Sequence, residues 1–311
     1  MGEIPILQAL RENVESVLLG KPEAVSQVLI VLLARGHVLL EDVPGVGKTI
    51  LTRAIAKSID CTFSRIQLTP DLLPSDILGV SVYDANTGKF AFKKGPIFAD
   101  IVLVDEINRT TPRTQSALLE AMNESQVTAD GETYPLGPPF MVLATQNPYE
   151  FEGTYFLPEN QLDRFMLRVR IGYPDKATER DILGLQPART RLSKLKPVMT
   201  SDQLVELQKQ ILTVRCEDAI TDYILNIAEA TRRSQDLTIG ISPRGSLALA
   251  QVAKAAALLD GRDYVVPDDV KSLATAVCAH RLMTKALTHD GSAAAAESVF
   301  AKILETIPVP Q

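Results

Sequence analysis

The stretch Glu41-Asp42-Val43-Pro44-Gly45-Val46-Gly47-Lys48-Thr49 constrains this chain more than any other. An apolar run, Val38-Leu39-Leu40, precedes it and reads as a short buried strand. Ile50-Leu51-Thr52-Arg53-Ala54-Ile55-Ala56-Lys57 follows and reads as a helix. A glycine-rich turn between strand and helix, closed by Gly-Lys-Thr, gathers backbone N–H groups at the positive end of a helix dipole and so suits a phosphate. Gly45 and Gly47 lack a Cβ, which lets the backbone approach phosphate oxygens. In such a loop Lys48 reaches the β- and γ-phosphates and Thr49 offers its hydroxyl to Mg²⁺. Asp42 stands where the usual pattern begins with glycine. A carboxylate repels phosphate, so its side chain is expected to point away.

A second stretch supplies what the loop lacks. Ile101-Val102-Leu103-Val104 is a continuous apolar run, as in a parallel strand buried on both faces, and Asp105-Glu106 closes it. Open α/β sheets place ligands at the C-terminal ends of their strands. Asp105 there can hold Mg²⁺ through water, and Glu106 can orient and polarise a water for attack on a γ-phosphate. Phe140-Met141-Val142-Leu143-Ala144-Thr145 is another buried strand, ending at Gln146-Asn147-Pro148. The Asn147 amide either fixes the attacking water or touches the γ-phosphate, or it simply opens a turn before proline. In Ser242-Pro243-Arg244, Ser242 reads as an N-cap and Pro243 as the first helical residue. A cation at Arg244 then opposes the helix dipole, a cost that a bound anion would offset; otherwise the side chain leans into solvent.

The remaining chain reads as alternating strands and helices followed by helices. Helices are expected over 5–19 and 22–34, a strand over 62–68, and a helix from Thr111-Pro112 to about Glu124. Val80 and Val82, then Phe90 and Phe92, alternate on either side of Asn86-Thr87-Gly88 and predict a β-hairpin over 79–98 that carries Lys89, Lys93 and Lys94. A second hairpin is expected over 126–136, turning at Asp130-Gly131, then the end of a short helix at 161–165 and a last strand over 167–171. Beyond about 176 the strand signals fade, and helices are expected near 176–186, 202–212, 218–234, 243–260, 267–283 and 293–306, with 187–200 as a linker. The expected division is an α/β nucleotide-binding core over 1–190 and an all-helical lid over 191–311.

Three hundred and eleven residues suit two domains, and 46% hydrophobic with 23% charged residues is the composition of a globular chain. A net charge of −6 argues against broad affinity for nucleic acid, and no apolar run approaches a membrane span, so no membrane insertion is expected. Cys61, Cys216 and Cys278 are far apart and have no metal-ligand spacing, as expected of reduced thiols. His37, His280 and His289 form no sequence cluster and are assigned structural or surface roles. Without the apolar core of a signal peptide at the N-terminus, a cytoplasmic location is expected.

Taken together the motifs resemble the MoxR family of AAA+ ATPases. The likeness runs from Leu19-Gly20 to Leu282 through 37–49, 71–79, Asp105-Glu106-Ile107-Asn108-Arg109, 114–122, Ala144-Thr145-Gln146-Asn147-Pro148, 157–165, Ser242-Pro243-Arg244 and 259–264. The resemblance implies an α/β core with a parallel sheet flanked by helices, a β-hairpin inserted at helix 2, and a helical lid. It implies ATP and Mg²⁺ as ligands, with the segment Asp42, Val43, Pro44, Gly45, Val46, Gly47, Lys48, Thr49 and Ile50 on the nucleotide and Leu19 and Gly20 near the adenine. It implies Asn147 as the sensor-1 residue and Arg244 as a sensor-2 arginine through which the lid closes over nucleotide. Arg164 becomes an arginine finger directed at a neighbouring subunit. It further implies a homo-oligomer, as a hexameric ring, that remodels or matures protein clients, often proteins with a von Willebrand factor A domain. Helicases and DNA-translocating relatives share the inserted hairpin, so a nucleic-acid motor is the alternative; the acidic balance counts against it, and Lys89, Lys93 and Lys94 count for it.

Overall fold

The computed structural model describes residues 4–86, 88–148, 154–155, 157–285 and 292–310. Thr87, at the turn of the first expected hairpin, and His289 lie outside the described residues. Helices α1 (Pro5–Glu15) and α2 (Pro22–Leu33) lead into strand β1 (Val38–Glu41). The phosphate-loop segment follows, then α3 (Lys48–Ser58) and β2 (Phe63–Gln67). A short helix α4 (Pro74–Leu78) precedes the hairpin β3 (Gly79–Asp84) and β4 (Lys89–Lys94). Next come β5 (Ile101–Asp105), α5 (Pro112–Glu124), the hairpin β6 (Gln126–Ala129) and β7 (Glu132–Pro135), and β8 (Met141–Gln146). Helix α6 (Glu159–Leu162) and β9 (Leu167–Val169) complete the sheet.

Strands β2, β5, β8, β1 and β9 lie side by side in that order, all parallel. Their apolar runs are continuous because both faces are covered. Val38, Leu40, Ile101, Leu103, Met141 and Leu143 enter one core. Leu39, Val102, Val104, Val142 and Ala144 enter the other, as the two-residue period of a strand dictates.

The helical part begins with α7 (Lys176–Leu185) and α8 (Pro187–Thr190) and continues through α9 (Ser201–Gln210), α10 (Asp218–Arg233), α11 (Pro243–Leu259), α12 (Pro267–Cys278) and α13 (Ser292–Thr306). These helices share the first of the two cores: Leu204, Ile224, Val252, Val270 and Phe300 are buried in one cluster with Val38 and Leu103. Two expectations need correction. The lid is not all-helical, because β10 (Leu237–Ile239) and β11 (Met283–Thr284) pair antiparallel with a register shift. Strands of three and two residues are too short to show a period. The segment 187–200 is no free linker: Leu192 and Met199 are buried, Arg191 Nη1 donates to the Ser16 carbonyl, and Val198 N donates to the Ser58 carbonyl. Pro74 is the first residue of α4, whose start is secured by Leu73 N donating to Asp76 Oδ2 at 2.8 Å.

Candidate nucleotide site

Gly47 takes φ +105° at the N-cap of α3 and Gly45 takes φ +85°, both in the left-handed region. A Cβ on Gly47 would lie 2.8 Å from Leu18 Cδ1, so the segment ahead of α2 packs directly on the loop. Leu19 and Gly20 therefore stand beside the phosphate loop, and Gly20 itself (φ +69°) abuts Thr178 of α7. Around Gly45 nothing would obstruct a Cβ, leaving the turn open. Lys48 Nζ folds back onto the Asp42 carbonyl within its own loop. Burial pulls its ammonium below the ordinary lysine range, against the opposing pull of Asp42, Asp105, Glu106 and Glu41.

Asp42 turns away from the loop. Its Oδ2 accepts from Ile171 N (2.8 Å) and Gly172 N (2.6 Å), and its Oδ1 accepts from Val43 N (2.8 Å). The carboxylate thus pins the chain beyond β9 to the start of the loop.

The carboxylates after β5 stand at the same edge of the sheet. Asp105 Oδ2 accepts from Arg65 Nε at 2.7 Å, and Thr145 Oγ1 donates to Asp105 Oδ1 at 3.3 Å. The same Thr145 hydroxyl accepts from Glu106 N at 2.9 Å. Glu106 has φ +61°, a conformation costly for a residue with a Cβ, at about 1–2 kcal/mol. Its Oε2 accepts from Gln67 Nε2 at 2.8 Å and lies 3.1 Å from Arg109 Nε. Asn147 follows the end of β8, whose strand neighbours β1 and β5 place it at that edge too.

The expected arginines occupy the opposite edge. Arg244 Nη2 donates to Asn123 Oδ1 at 2.7 Å. Arg244 and Arg164 line one cavity of about 510 Å³ together with Arg35, His37, Asp163 and Arg281. His37 immediately precedes β1, and Met166 N, just ahead of β9, donates to its carbonyl. The cavity therefore lies a strand's length, roughly 13 Å, from the loop that follows β1. Arg244, expected to bring the lid over nucleotide, stands at the start of α11 beside this cavity, at the N-terminal edge of the sheet.

His37 is structural. It is buried, its Nε2 lies 3.0 Å from the Met122 carbonyl, and its Nδ1 accepts from Val142 N at 3.0 Å. Those partners define the neutral ring with the proton on Nε2, and burial lowers its pKa to about 4.

Residues 37–167 match the family described as ATPase family associated with various cellular activities, and residues 229–301 match an AAA lid domain. Chaperone MoxR1 of Mycobacterium tuberculosis is 39% identical across all of this chain and 84% of its own length. The chain is a MoxR-family AAA ATPase. An uncharacterised Bacillus subtilis protein, YeaC, is 50% identical over 98% of this chain and 95% of its own length. A crystal structure from Cytophaga hutchinsonii, described as that of an ATPase, superposes with a TM-score of 0.88 at 35% identity, covering 99% of this chain and 96% of that one. This MoxR-family protein binds ATP and is an ATPase.

Several residues at the site of this MoxR-family ATPase escaped the sequence reading. Thr145 ties Asp105 to Glu106, and Arg65 and Gln67 hold one carboxylate each. Their signal was present: Arg65 and Gln67 alternate along β2, and Gln67 pairs in register with Asp105. The residues also fit Mg²⁺ with a triphosphate. Among the described residues no cluster of three or more His, Cys, Asp or Glu could cage a metal, and Mg²⁺ is commonly held by one or two protein oxygens plus phosphates and water. Thr49 at the start of α3 and Asp105 at the end of β5 offer that donor set. Among the described residues no helix is long and apolar enough to cross a membrane.

Proposed function

We propose that this ATPase works as a ring of identical subunits, a hexamer, that uses ATP hydrolysis to remodel protein clients. The observation that carries this reading is the split of the machinery between two edges of one sheet. The phosphate loop, Asp105, Glu106 and Asn147 stand at the C-terminal edge, while Arg164 and Arg244 share a cavity at the other. Two guanidiniums a strand's length from their own phosphate loop suit a neighbour's nucleotide. The name of the Mycobacterium relative, a chaperone, supports protein clients.

In this reading the backbone of residues 42–50 and the Lys48 ammonium hold the β- and γ-phosphates, with Leu19 and Gly20 beside the adenine. Thr49 and, through water, Asp105 would hold Mg²⁺, which would supply neutralisation of the triphosphate's negative charge. Glu106 orients the attacking water, with Asn147 beside it; Gln67 and Arg109 hold the Glu106 carboxylate in place. Arg164 and Arg244 neutralise charge developing on the γ-phosphate of the adjoining subunit. The client class, proteins with a von Willebrand factor A domain, rests on family resemblance.

Specific ATPase activity measured against protein concentration, with native mass spectrometry on the same samples, tests the ring. Activity should rise as higher oligomers form. Full specific activity in a sample that is wholly monomeric would overturn the shared site. Stimulation of turnover by a purified von Willebrand factor A domain, against single- and double-stranded DNA as the contrasting additions, tests the client class.

A further inference from the structure

Arg281, in the turn after α12, is 5% exposed; besides the Val277 carbonyl of its own helix and His280, its hydrogen bonds go to one short segment of the core. Its Nε donates to Asp163 Oδ1 at 2.7 Å. Its Nη2 donates to the Phe165 carbonyl at 2.7 Å and to the Asp163 carbonyl at 3.3 Å, and its Nη1 donates to the Met166 carbonyl at 3.3 Å. These acceptors bracket Arg164 on both sides. The neighbouring His280 adds a contact of 3.0 Å from Nε2 to the same Phe165 carbonyl. Arg164 itself is held by none of them: its Nη1 is buried and has no hydrogen-bond partner among the described residues. The Arg281 stem also runs beneath the first turn of α11, where a Cβ on Gly245 would come within 3.1 Å of Arg281 Cδ. Gly245 is the residue after Arg244, so one lid side chain abuts the backbone that carries each of the two cavity arginines.

We propose that Arg281 is a positioning residue: it sets the Asp163–Phe165 turn and the start of α11 so that Arg164 and Arg244 present together to the neighbouring subunit. This rests on the reading of Arg164 as a finger in trans. It adds that the lid of one subunit governs hydrolysis in the next, because the lid cannot shift without moving the turn that holds the finger. A buried guanidinium with a carboxylate and three carbonyls in a fixed fork is specific to arginine; a lysine ammonium cannot reach that set at once.

The test uses the full chain. Arg281→Gln should bind fluorescent ATP within about 2-fold of wild type and form rings, yet turn over at least about 10-fold more slowly. In the same subunit, adding Arg281→Gln to Arg164→Ala should cost nothing beyond the loss in Arg164→Ala alone, since both changes remove one function. Mixing Arg281→Gln with Lys48→Ala subunits should restore turnover, because some interfaces then join an intact loop to an intact finger. Gly245→Ala, whose Cβ would meet Ile241 Cγ2 at 2.8 Å and the Arg281 stem at 3.1 Å without removing a charge, should lower kcat several-fold at unchanged KM. Wild-type kcat in Arg281→Gln, or losses that multiply when combined with Arg164→Ala, would overturn the proposal. So would wild-type kcat in Gly245→Ala should Arg281→Gln fail to fold. If Arg164→Ala alone kept full activity in assembled rings, the finger reading would fail instead, which separates the two.

Discussion

Arg244 donates to Asn123 Oδ1 at 2.7 Å, at the edge of the sheet opposite Lys48. The bond holds the Arg244 guanidinium at that edge, a strand's length from its own subunit's phosphate loop. Arg244→Ala should therefore leave ATP affinity unchanged in dilute, monomeric protein and lower turnover of assembled rings by about 10-fold or more. Nucleotide titration below the ring-forming concentration checks the first half. A clear loss of affinity there would return Arg244 to its own subunit's nucleotide.

Arg164→Ala and Lys48→Ala should each be inactive, the first for want of a finger and the second for want of the phosphate cation. A mixture should regain turnover. Absence of recovery, at concentrations where native mass spectrometry detects mixed rings, would count against action in trans.

Glu106→Gln keeps the left-handed turn and its bond to Thr145, because those involve the backbone. It loses the charge that faces Arg109 and the capacity to act as a base. ATP binding should stay near normal while turnover falls by about 10²-fold or more. Single-turnover hydrolysis within a few-fold of wild type would remove Glu106 from the chemistry.

Asp42→Gly would restore the glycine usual at that position of a phosphate loop, and it should make the protein worse. The carboxylate accepts three backbone N–H groups, two from the chain beyond β9. Loss of charge-assisted bonds of this kind costs on the order of 1.5–3 kcal/mol. Urea unfolding should show that loss, with no gain in ATP affinity. Unchanged stability would mean that water replaces the carboxylate without cost.

His37 sets a pH dependence. Its pKa is about 4 when folded and near 6.5 when unfolded, so below pH 6.5 the unfolded chain binds the proton first. Stability is full above pH 6.5 and falls as pH drops toward 4, by up to about 3 kcal/mol. His280, lowered well below its ordinary value by burial and by Arg281 and Arg168, acts in the same direction. Urea midpoints for wild type and His37→Gln, measured from pH 7 to 4, should show a shallower slope in the variant.

The sheet was legible because its strands are apolar on both faces and end in chemistry: Val38 to Lys48, Ile101 to Glu106, Met141 to Asn147. Hairpins announced themselves through alternation about a glycine turn, and β3–β4 pairs Val80 with Lys93 and Tyr83 with Phe90 in a regular ladder. What stayed hidden depends on packing at a distance. Nothing local to Arg244 tells which sheet edge its helix meets; that is decided where α11 lies on α2 and α12 lies on β9. Arg281 resembled any basic residue near a helix end until its partners, more than a hundred positions earlier, were in place. The ribbon of Leu237–Ile239 with Met283–Thr284 is likewise a tertiary pairing.

The side chain of Glu41, last residue of the strand feeding the phosphate loop, is buried between Arg168 (3.2 Å) and Arg170 (3.3 Å). Both arginines also reach Glu297 on α13, Arg170 at 3.0 Å and Arg168 at 2.5 Å. Two anions thus neutralise two cations, and one of the anions comes from the last helix. A stop codon ahead of position 297 would not trim a dispensable tail. It would leave two guanidiniums, buried on Arg168 and half-exposed on Arg170, facing the single carboxylate of Glu41. Nonsense and frameshift changes at or ahead of codon 297 should therefore be felt at the strand that feeds the phosphate loop.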